Sequence, residues 1–189
     1  MPVLEQKTFY HPCGPDFSPR LFSGQLARLY RGYPHKNGRH PIRFLCIGSD
    51  RVTGDSLGPL IGYKLKKYLP DDAVIGTLAK PVHALNLASV LDALDREAAF
   101  VVAIDASLGD PEHIGCITLT GGSIRPGLGV CKHLPSVGHA SVTGIVGSIY
   151  SPGDCALQST RLSLVMELAD SITLGILRFY CLCTRQSLR

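Results

Sequence analysis

Between residues 41 and 106 the chain alternates short apolar runs with amphipathic segments, and this alternation narrows the possible folds more than any other feature. "PIRFLCIG" (41–48) is an apolar run bounded by turn residues, the pattern of a buried strand. "SLGPLIGYKLKKYLP" (56–70) follows, with Leu57, Leu60, Ile61, Leu65 and Leu69 at helical spacing and Pro70 as a stop. "DAVIGTL" (72–78) predicts a second strand, "ALNLASVLDALDRE" (84–97) a second helix, and "AAFVVAIDA" (98–106) a third strand. Strand, helix, strand, helix, strand is the order of a parallel sheet with helices on both faces. Right-handed crossovers make the architecture an open, doubly wound one, whose sites gather at the carboxyl ends of the strands. "HIGCITLT" (113–120) and "ASVTGIVGSIY" (140–150) predict two further strands around a glycine- and proline-rich stretch, and a long helix over 157–181 closes the pattern.

The first 41 residues read as an N-terminal extension. Proline and glycine dominate "HPCGPDFSP" and "RGYPHKNGRHP", which enclose one short helix, "RLFSGQLARLYRG" (20–32). Residues 42–189 then form a single α/β domain, within the size that one continuous core supports. With 45% hydrophobic and 18% charged residues the chain is globular, and its net charge of +4 is spread without an aromatic-interleaved basic motif, so no nucleic-acid partner is expected. The seven cysteines form no CxxC pair, and Cys46 and Cys116 lie in strand-like runs as buried thiols, which places the chain in a reducing cytoplasm. The start lacks the pattern of a secretory signal, and "SITLGILRFYCLC" is too short, with Arg178 inside it, to span a membrane.

Three titratable residues fall after, or at the end of, successive strands: Asp55 in "IGSDRVTGDSLGPLIG", His83 in "LAKPVHALNL" and Asp105 in "VVAIDASLGD". Each has a bland reading. Asp55 suits the cap of the helix that follows it, Asp105 suits a bond within its own turn, and His83 suits a local loop bond. Their shared edge is what favours chemistry. Two carboxylates in one crevice either share a proton and divide into acid and base, or hold a divalent cation that a histidine helps to bind. The loop has neither the GxGxxG spacing of a dinucleotide site nor a P-loop lysine, and Asp55 would repel a phosphate, so no nucleotide cofactor is expected.

The segments "IGSDRVTGDSLGPLIG", "GTLAKPVHALNL", "VVAIDASLG", "GGSIRPGLGVCKHLPSVG" and "SVTGIVG" resemble, in that order, the blocks of the spore protease YyaC family of spore-forming bacteria, over roughly residues 42–180. More distantly, the aspartate before "LGP", the "IDA" strand and the "PGLGV" loop are similar to the spore germination protease, and the hydrogenase maturation endopeptidases share the fold. The resemblance implies a three-layer, mostly parallel open sheet of the phosphorylase/hydrolase-like (HybD-like peptidase) type. It also implies a sporulation-associated peptidase acting on a protein or peptide substrate, with Asp55 and Asp105 as the functional pair. If a divalent metal is held, the candidates are Asp55, Asp105, His83 and His133, with His139 the alternative to His133; a metal-free pair is the leading expectation. Main-chain amides of "GSIRPGLG" are the candidates for stabilising an oxyanion. The competing reading is a non-catalytic binding or regulatory module on the same fold.

Overall fold

A computed structural model describes residues 7–34, 40–94, 99–126, 135–151 and 155–184. Six strands form one sheet: β1 (Thr8–Pro12), β2 (Ile42–Cys46), β3 (Val74–Ile75), β4 (Phe100–Gly109), β5 (Cys116–Gly121) and β6 (Ala140–Ser148). Their order across the sheet is β1-β5-β6-β4-β2-β3. β6, β4, β2 and β3 run parallel, while β5 is antiparallel to both β6 and β1. The helices are α1 (Pro19–Gly32), α2 (Leu57–Leu65), α3 (Leu87–Ala93), the short α4 (Cys155–Gln158) and α5 (Leu162–Thr184). This is the three-layer, mostly parallel open sheet that the resemblance implies, with the helices on both faces that the alternation predicts.

The pleat of β4 divides the core in two. Phe100, Val102 and Ile104 point to one face, where α1, α2 and α5 supply Phe22, Leu26, Ile61, Leu65, Leu168, Ile172 and Ile176. Val101 and Ala103 point to the other, with Leu45, Ile47 and Val82 under Leu87 and Leu91 of α3.

The N-terminal segment is built into the fold as well as carrying its expected helix. β1 pairs with β5 along its whole length, from Thr8↔Thr120 to Pro12↔Cys116, and Phe22, Leu26, Ala27 and Tyr30 of α1 are buried in the main core. The second strand shrinks to Val74–Ile75, since β3 is the outer edge of the sheet and only Phe44 and Leu45 of β2 face it. Cys46 is buried as expected; Cys116 is only half-buried.

Candidate active site

β2 is where the chain order reverses: it leads through α2 to β3 on one side and, after β3, through α3 to β4 on the other. At such a switch point two loops part at the carboxyl ends of neighbouring strands and leave a crevice. Asp55 and Asp105 flank this one.

The loop after β2 is shaped by its glycines. Ile47 N–H still donates to Ile104 O at 2.7 Å, and Gly48 N–H donates to Val82 O at 2.7 Å. Gly48 then takes φ 136°, and a Cβ there would strike the Asp55 carbonyl oxygen, which accepts the Ser49 N–H at 3.1 Å. Only glycine permits that return of the chain. A Cβ on Gly58 would likewise strike the Ile47 carbonyl, so α2 starts hard against the end of β2. Asp55 sits in the single 3-10 turn Gly54–Ser56 that runs into α2. The capping role open to it in the sequence is not realised: no side chain caps this turn or the start of α2, and Ser56 Oγ donates to Thr53 O at 2.6 Å instead.

Asp105 lies inside its strand rather than at its end. β2 stops opposite Ile104, but β4 runs on to Gly109 beside β6, with Asp105 in register with Thr143. By alternation its side chain is on the α3 face, only 9% exposed. Its Oδ1 accepts the N–H of the next residue, Ala106, at 2.9 Å, so the turn bond expected within "DASLGD" gives way to a bond made in the strand.

His83 follows the bridge Ile47↔Val82, which sets it beside the same crevice. Asn86 pins this loop: its Oδ1 accepts the His83 N–H at 2.8 Å and its Nδ2 donates to Pro81 O at 3.0 Å. His83 Nδ1 accepts the Leu85 N–H at 3.3 Å.

The electrostatics follow from burial. The Asp105 carboxyl is raised well above the usual carboxylate range, first by burial and then by the Asp55 charge, with the Ala106 N–H opposing. Asp55 is raised by burial too, and the Ser49 N–H and His83 pull it back. Burial disfavours the charged form of both carboxyls, and of Asp105 the more, which is the direction that separates an acid from a base in a carboxylate pair.

His139 does not join them. Its Nδ1 accepts the Val101 N–H at 3.0 Å and its Nε2 lies 3.2 Å from Tyr33 Oη, at the opposite end of β4. His133 and the last three residues of the "GSIRPGLG" segment, 127–129, lie outside the described residues. Among the described residues no three His, Cys, Asp or Glu side chains are grouped as metal ligands.

Two features lie outside the expectations drawn from the sequence. Asn86, three residues after His83, falls within the helix predicted over 84–97, although an asparagine at that offset is a recognisable loop-closing signal. A hydroxyl chain also runs beside Asp105, with Ser107 Oγ donating to Thr143 Oγ1 at 3.0 Å and Thr143 Oγ1 lying 2.7 Å from Thr118 Oγ1. It joins three strands, and no local pattern announces it.

Fold and site together define an open α/β protein with a carboxylate pair at its topological switch point. The chain belongs to the family described as "Protein of unknown function (DUF1256)", whose model matches residues 23–175. It is 43% identical over 155 residues to "Uncharacterized protein YyaC" of Bacillus subtilis (strain 168), covering 80% of this chain and 76% of that one, so the family read from the ordered motifs stands. A crystal structure of the [NiFe] hydrogenase maturation protease HycI from Thermococcus kodakarensis KOD1 overlaps with a TM-score of 0.49 at 16% identity, over 80% of this chain and 96% of that one. An overlap that loose assigns neither residues nor activity. Among the described residues no helix is long and apolar enough to cross a membrane.

Proposed function

We propose that this protein is a sporulation-associated, cytoplasmic peptidase that hydrolyses a peptide bond with Asp55 and Asp105. The reading is carried by the placement of Asp105, buried beside the half-buried Asp55, with its carboxyl raised well above the usual carboxylate range by burial and by the Asp55 charge. Sporulation and a protein or peptide substrate follow from the motif resemblance alone.

Ionised Asp55 takes a proton from water as the water oxygen attacks the scissile carbonyl. Asp105 gives its proton to the amine nitrogen as the C–N bond breaks. One carboxyl ends protonated and the other ionised, and exchange of a proton with solvent restores the starting state. Deeper burial raises Asp105 further than Asp55, and the Ser49 N–H and His83 pull Asp55 back, so Asp55 is the more acidic of the two.

The test is incubation of the purified chain with spore-protein extracts and synthetic peptide libraries, read by mass spectrometry. New termini are expected with the unaltered protein and absent with Asp55→Asn and with Asp105→Asn. Absence of cleavage across pH and added metals would leave the fold as a binding module.

A further inference from the structure

β4 outruns its neighbour. β2 pairs with Phe100–Ile104 and stops, whereas β4 continues to Gly109 with β6 as the only described strand paired to it. The strand's own alternation tells which main-chain groups are left over. Phe100 N–H donates to Pro41 O and Ile104 O accepts the Ile47 N–H, so even-numbered residues turn their amides and carbonyls towards the β2 side. Gly109 O accepts the Ile149 N–H, so odd-numbered residues face β6. Ala106 and Leu108 therefore present main-chain groups to an open edge. Among the described residues, none donates to Ala106 C=O and none meets the Leu108 N–H or C=O. Asp105 Oδ1 answers the Ala106 N–H, as a side chain does where the neighbouring strand is missing.

Two acceptors and one donor on alternate residues are what an added strand binds, and an unpaired strand edge is a template for one. This edge begins at Asp105 and spans four residues, roughly 13 Å. We propose that residues 106–109 of β4 bind an extended stretch of a protein substrate's main chain as an extra strand, which feeds the next peptide bond to the carboxylate pair. The proposal rests on the peptidase reading and names how its substrate is recognised: through backbone geometry, with little demand on sequence along this stretch. An unfolded or extended segment fits the edge, and a helical one does not.

The probe is a library of acetylated, amidated dodecapeptides of randomised sequence, added to the full 15N-labelled chain carrying Asp55→Asn. Exchange of the Leu108 amide, resolved by NMR, is expected to slow at least tenfold with the library. It is expected to stay unchanged with the same library N-methylated at alternate residues. Leu108→Pro, which removes the edge amide and no ladder bond to β6, is expected to lose at least tenfold in library affinity with an unchanged fold. Should that variant fail to fold, the N-methylated library decides alone. Equal protection by both libraries, or unchanged Leu108 exchange, overturns the proposal. Cleavage by the unaltered chain is scored separately: cleavage without edge protection refutes this proposal and spares the peptidase reading, and edge protection without cleavage does the reverse.

Discussion

Asp105→Asn removes the charge at the site while keeping its shape, which makes it the sharpest probe of the carboxylate pair. The amide Oδ1 can still accept the Ala106 N–H, and the volume is unchanged. What disappears is a carboxyl whose pKa folding raises, first by burial and then by the Asp55 charge. Such a group binds its proton more tightly folded than unfolded. Its contribution to stability is therefore complete below the unfolded value of 3.8 and is lost as pH rises through the folded one. At neutral pH the unaltered protein bears that loss and the variant does not. Asparagine keeps a buried polar group at this position, so only the cost of the ionisable carboxyl is removed, on the order of 1–3 kcal/mol at pH 7. For a chain of this size the gain corresponds to a rise in Tm of roughly 2–12 °C. The difference should shrink towards zero near pH 4, where both proteins are neutral at this position. Activity should move the other way, falling about 10²- to 10⁴-fold with the loss of the general acid. Thermal melts of both proteins at pH 4, 5.5 and 7, beside peptide cleavage at pH 7, measure both effects. A variant less stable at neutral pH, or a stability difference that ignores pH, would refute the electrostatic account of Asp105.

Gly48→Ala should destabilise by at least about 1–3 kcal/mol, because φ 136° is costly for alanine and its Cβ meets the Asp55 carbonyl; urea unfolding checks this, and cleavage should fall with it. His11, 2% exposed in β1 with its ring 5.4 Å from that of Phe22, has its pKa lowered by burial, Gln25 opposing. The unfolded chain thus binds the extra proton first, and stability should fall as pH drops below 6.5; His11→Phe should flatten the Tm profile between pH 7 and 5. Zinc or nickel added after chelator treatment should leave the Tm of the unaltered chain in place. A reproducible rise of several degrees, absent in both Asn variants, would assign a bound cation to the pair.

Local patterning by itself determined most elements and the two acids. β2, β4 and β6 are apolar runs that only a sheet covered on both sides can bury, and α1 and α5 carry their spacing in the sequence. Asp55 and Asp105 stand out in the sequence because one lies in the glycine-rich turn after an apolar run and the other interrupts an apolar run. Partnership was not legible. "TFYHP" becomes β1 because β5 offers it an edge 100 residues away, and "DAVIGTL" keeps only two strand residues because β2 faces no more of it. The Ser107–Thr143–Thr118 chain exists only once three strands are in register. The site owes its open side to a difference in length: β2 ends at Cys46 while β4 continues to Gly109, which leaves Asp105 buried on one side and the strand beyond it unpaired on the other. Helical spacing and turn chemistry act over a few residues and are written in the sequence. Strand register and sheet edges are settled by which distant segments bury each other best, and only the assembled structure decides that.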